Sequence, residues 1–176
     1  EIAEKIMTCF NKEQYGRFDR LLLKNRNNEE LFDILLQDIT FTEYYLEFQP
    51  NDVIFQKLSI PIQKKLIECK PYLIRMVSDE IRSDRAYMED LQHRLDTNEL
   101  EDDRRTSVYQ YLGSKLASDK EYLKSIQDMA YSKGITGTKT AESIRRSRDH
   151  ANALISEKLT GYVRSKDIFV VNQTLA

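Results

Sequence analysis

The sequence predicts an all-α fold, and three observations carry that expectation. Helix-start signals recur: Asn11–Gln14, Asn98–Glu101 and Ser118–Glu121 each set a small polar cap three residues ahead of a Glu or Gln. Asn28 stands before Glu29 and Glu30, and Ser59 precedes Pro61, which a helix tolerates in its first turn. Apolar residues return at helical spacing along most of the chain, while 5 Gly and 3 Pro supply few turns for a β-sandwich or barrel.

Taken in order, Ile2, Ile6 and Phe10, then Phe18, Leu21 and Leu22, place apolar groups on one helical side, with Gly16 a weak point. Asn25-Arg-Asn-Asn28 ends that segment and caps the next, where Leu31, Ile34, Leu35 and Ile39 repeat. The run from Phe41 to Phe48 has the β-branched and aromatic content of a short strand, but its surroundings favour another short helix. After the Pro50-Asn-Asp52 turn, helices are expected over about 52–58 and 59–70.

Pro71 is expected to open a long helix reaching about His93–Asp96, because Ile74, Val77, Ile81, Met88, Leu91 and Leu95 alternate three and four apart. Asp84 stands where an apolar residue is due. A second seam runs through Leu112, Leu116, Leu123, Ile126 and Ala130, with Asp119 in its gap. The polar stretch between them, 96–105, suggests that the seams fold back as a hairpin. A last helix is expected over 139–162, with Ile144, Ala151, Leu154, Ile155 and Leu159 inward, and Ile168–Val171 as a short extended tail. The reading is one domain over 1–176: a multi-helix bundle with shorter helices in 1–70, a long antiparallel hairpin in 71–132, and the final helix.

Composition narrows the function. Hydrophobic content of 40% beside charged content of 32% describes a folded, well-charged protein. A net charge of -2 exerts no global pull toward nucleic acid or membrane, and no apolar run is long enough to span a bilayer. Cys9 and Cys69 cannot make a disulfide framework and read as free thiols of a reducing compartment. The chain opens on Glu1, already helix-like, and is read as a fragment of a larger intracellular protein, cytoplasmic or peripheral to a membrane.

Few residues offer chemistry. Asp84 and Asp119 interrupt apolar seams, and in a hairpin two such carboxylates would lie at similar depth, an acid/base or metal arrangement. The plainer reading puts Asp119 in the exposed first turn of a new helix and Asp84, with Arg85 beside it, at a solvated end of its seam. Asp90 and His93 have the offset of a carboxylate–imidazole metal pair, but Ser147 stands where His150 would need its carboxylate. The cysteines and histidines are scattered, so neither a metal nor another cofactor is expected.

Gly134-Ile-Thr-Gly137-Thr-Lys139-Thr140 has the wrong spacing for a nucleotide-binding loop, although a Gly- and Thr-rich turn opening a helix attracts anions. Lys133, Lys139, Arg145, Arg146 and Arg148 make this the locally basic stretch, whereas 79–103 holds about ten acids against three arginines. The basic stretch could pair with that acidic hairpin, meet an acidic protein, or hold a lipid headgroup or nucleic-acid backbone. Tyr44, Tyr45 and Phe48, near Pro50, are candidate interface anchors, or core at helical spacing.

The leading functional expectation is a protein–protein interaction module, as adaptor, scaffold or regulatory part. Peripheral binding of anionic lipid or nucleic acid through the 133–148 segment is the second. A small-GTPase regulator and an enzyme using Asp84, Asp119 and His93 are further alternatives. Homo-oligomerisation through the seams fits any of them.

Overall fold

The computed structural model describes residues 1–132, with side chains through Ile126. Every regular element among them is helical, and no strand occurs in the described residues. The chain divides into two compact units, Glu1–Ser78 and a second beginning at Asp79.

In the first unit α1 (Ile2–Asn11) packs on α2 (Tyr15–Lys24) and α3 (Glu29–Leu35). Ile6 and Phe10 are buried as their spacing predicts, but Ile2 stays exposed at the first turn. Asn11 is not a cap. The apolar face of α1 runs on through Phe10, so Asn11 closes that helix and Gln14 precedes α2. Glu13 turns the chain with a positive φ of 58°, and the Gln14 N–H returns to the Cys9 carbonyl. Asn28 does cap α3, its side chain accepting from the Leu31 N–H at 3.1 Å. Leu31, Phe32 and Leu35 face the core, whereas Ile34 points outward.

The 41–48 run is neither strand nor plain α-helix. Thr40–Tyr45 winds as a π-helix and passes directly into α4 (Leu46–Phe48). α5 (Asp52–Phe55) begins at Asn51, whose side chain accepts from Val53 N–H, and α6 (Ile60–Cys69) begins after Ser59 with Pro61 in its first turn. A 3-10 turn, Pro71–Met76, follows. Gln63, fully buried, holds the end of this unit: its amide donates to the Leu58 carbonyl and Ser78 hydroxyl, and its oxygen accepts from Ser78 N–H, each at 2.8 Å.

The long helix expected from Pro71 is instead three pieces: the 3-10 turn, α7 (Asp79–Arg82) and α8 (Arg85–Asp96). Two local stops break it. Val77 is extended at ψ 175°, and Asp84 is extended at ψ 102°, with its carboxylate accepting from Tyr87 N–H to start a new helix. The seam pattern nevertheless marked burial, since Ile74, Val77, Ile81, Met88 and Leu91 are all inside.

Asn98 also departs from expectation. It follows α8 with φ 60°, a helix stop, and no helix begins there. Asp102 organises the next turn by accepting from the Arg104 and Thr106 N–H groups. The chain continues through a 3-10 turn, Val108–Tyr111, into α9 (Ser114–Ala117) and α10 (Lys120–Ser132). Gln92, buried in α8, accepts from the Val108 N–H at 2.9 Å. Arg85 lies 4.7 Å over the Tyr122 ring, so the first turn of α8 meets the first turn of α10.

A tight crossing fastens α7 to α9. Asp79 accepts from the Ser114 N–H at 2.7 Å and the Ser114 hydroxyl at 2.8 Å, and Gly113 N–H donates to the Arg82 carbonyl at 2.7 Å. These bonds hold the Asp79 carboxyl below the usual carboxylate range, the Ser114 N–H contributing most. The expected final helix over 139–162 and the 168–171 tail lie outside the described residues.

Candidate functional site

The π-helical segment is held from three sides. At its start Asp38 accepts from Thr40 N–H at 2.8 Å and Phe41 N–H at 3.1 Å. Beneath it, Tyr45 sits in an aromatic cluster, with ring centroids 4.6 Å from Phe18, 5.4 Å from Phe41, 5.9 Å from Phe10 and 6.1 Å from Phe55. At its end the Tyr72 hydroxyl donates to the Leu46 carbonyl at 2.8 Å, and Lys70 reaches Glu43 at 3.1 Å and Glu47 at 3.5 Å. Burial opposes the Lys70 charge, but the Glu43 and Glu47 carboxylates outweigh it and raise its pKa.

The Tyr45 hydroxyl is sealed inside beside the Asn51 backbone and Asp19. Burial, then the Asp19 charge, pushes its ionisation far up. Asp19 is itself raised by burial, against a hydrogen bond from Asn51. Tyr45 is therefore core and not an interface anchor. Its expected companions diverge from it: Tyr44 is 58% exposed and Phe48 73% exposed. Phe41 and Tyr45, four apart, share the inward side and Tyr44, the position between turns, points out, while the wide π turn carries Phe48 off the face that plain α spacing from Phe41 would give it.

Asp84 and Asp119 are both exposed N-cap residues, Asp119 accepting from Tyr122 N–H at 3.0 Å. Each carboxylate is engaged at the start of its own helix, so Asp119, not Ser118, caps α10. Asp90 and His93 are exposed on α8, and the described residues contain no group of three or more His, Cys, Asp or Glu able to hold a metal. Cys9 is buried. Cys69 is half-buried, and burial pushes its thiol up, away from nucleophilic reactivity. Lys133, Lys139, Arg145, Arg146 and Arg148 lie outside the described residues.

Two features of the 27–56 stretch escaped sequence reasoning. Ile39, which periodicity places with the core, is 70% exposed. The stretch also contains seven acids and no Lys, Arg or His over thirty residues, a signal readable by counting. Among the described residues no helix is long and apolar enough to cross a membrane. Comparison of the chain with protein-family models, with curated proteins and with solved structures finds no match.

Proposed function

We propose that this chain is a helical protein–protein interaction module, an adaptor, scaffold or regulatory part of a larger intracellular protein. The observation that supports this reading is the pairing of a fixed backbone with outward aromatics. Tyr45, Asp38, Tyr72 and Lys70 secure the segment, while Tyr44 and Phe48 are spent on solvent. Aromatic side chains bring large apolar area to an interface, and a pre-ordered backbone lowers the ordering cost of association.

The test is site-directed photo-crosslinking of the full chain in cell lysate, from an analogue placed at position 48. A discrete protein adduct, competed away by excess unlabelled chain but not by chain carrying Tyr44→Ser and Phe48→Ser, supports the reading. Absence of any protein adduct, at a position that crosslinks efficiently to added detergent, refutes it.

A further inference from the structure

We infer that the partner of this face is a basic amphipathic helix, seated on a stripe formed by Ile39, Tyr44 and Phe48; this rests on the interaction reading above and adds the partner's chemistry. The stripe follows from winding. At about 4.4 residues per π turn, positions five apart fall within roughly 50° of each other, whereas in an α-helix they diverge by roughly 140°. Ile39 and Tyr44 are five apart across the π segment, and Tyr44 and Phe48 are four apart where the α4 helix resumes. Three large apolar side chains, 70%, 58% and 73% exposed, thus follow one line along the segment.

Charge selects what can cover that line. The segment 27–56 holds Glu29, Glu30, Asp33, Asp38, Glu43, Glu47 and Asp52 with no base among them. Each residue of the stripe follows an acid directly, Asp38 before Ile39, Glu43 before Tyr44 and Glu47 before Phe48, while Lys70 pairs with the last two and Lys65 with Asp33. An acidic partner would meet like charge, and a purely apolar one would leave the carboxylates to be desolvated without compensation. A helix with an apolar face and lysine or arginine flanks satisfies both features. The described residues offer no strand edge to extend, and two helices pack through apolar positions spaced along one face of each.

The experiment uses the full chain and three fluorescent peptides of about five helical turns. One is a Leu/Lys amphipathic helix, one has every Lys replaced by Glu, and one carries the same lysines with Ser in place of Leu. Anisotropy titrations should show the Leu/Lys helix binding about tenfold or more tighter than either control. The chain with Tyr44→Ser and Phe48→Ser should lose about tenfold toward that helix, with its circular dichroism unchanged. Equal binding of the Glu peptide, or no loss in the double variant, overturns the inference. If either occurs while the position-48 crosslink still traps a protein, the interaction reading stands and only the basic-helix assignment falls. Light scattering showing that Phe48→Ser dissolves a dimer would assign the stripe to a second copy and likewise overturn it.

Discussion

Gly113→Ala is expected to destabilise the second unit by about 3 kcal/mol, and the reason is steric rather than conformational. Gly113 has φ -67°, which any residue adopts, so glycine is not needed for its backbone angle. A Cβ there would lie 2.2 Å from Ser83 Oγ, 2.6 Å from Ser83 N and 2.7 Å from the Asp79 carbonyl oxygen. The hydroxyl can rotate away; the two backbone atoms cannot. Restoring ordinary contact at 3.4 Å with both requires the crossing to open by about 0.8 Å.

That opening stretches the 2.7 Å Gly113–Arg82 bond and the 2.7 and 2.8 Å Asp79–Ser114 bonds toward or beyond hydrogen-bond range. Overpacking costs about 1–3 kcal/mol, and loss of a charge-assisted bond about 1.5–3 kcal/mol. The chain trades one against the other, so the two are not summed. With a urea slope of about 2 kcal/mol per M, the midpoint of the second unit should fall by about 1.5 M. Urea titration by circular dichroism, with hydrogen exchange at the Ser114 amide, reads the effect locally. Gly16→Ala, where a Cβ meets nothing within 4 Å, is the control and should gain about 0.5 kcal/mol. A loss below about 0.5 kcal/mol in Gly113→Ala with Ser114 protection intact would refute the argument.

The Asp79 carboxyl is held below its ordinary value of 3.8, so its contribution is present above that pH and is lost as pH falls through the lower folded value. Asp79→Asn should therefore cost about 1 kcal/mol at neutral pH, solvent screening keeping it small, and the gap from wild type should close in acid denaturation below that value. Gln63→Leu removes the partner of Leu58 and Ser78 inside the first unit and should cost about 2–4 kcal/mol by urea titration; a near-neutral result would mean that those groups find other partners. Asp84→Ala and Asp119→Ala should each cost about 1 kcal/mol in thermal melts, as exposed caps do, with neither change altering metal retention.

Helical class and burial were legible in the sequence because both follow from apolar spacing, and spacing is local. Ile6, Phe18, Leu22, Leu31, Leu35 and Met88 fall inside where their rhythm put them. Boundaries were harder to read, because the same residue types start and stop helices. Asn28 caps α3 as expected, yet Asn11 ends a helix and Asn98 halts one at positive φ. The break at Asp84 had its signal in plain view: an aspartate in an apolar seam is also a cap, and the cap won.

The candidate site was half legible. Tyr44 and Phe48 were found by residue type, but α-helical spacing from Phe41 put Phe48 on one face with Tyr45. The wide π turn moves Phe48 off that face, and no pattern of residue types announces such a turn. Ile39 continued the rhythm of Leu31 and Leu35, but α3 ends at Leu35 and the chain turns before Ile39 is reached.

A π turn joins backbone partners five residues apart where an α turn joins them four apart, so Thr40–Tyr45 carries one residue more than an α-helix between the same ends would use. The wide turn thus absorbs the extra residue without turning the helix beyond it. Loss of Thr42 would let the segment rewind as α-helix, with Ile39 and Tyr44 then four apart and still within about 40° of each other. The line of the stripe is therefore buffered against the loss of one residue here, whereas the same loss from a plain α-helix would rotate everything beyond it by about 100°.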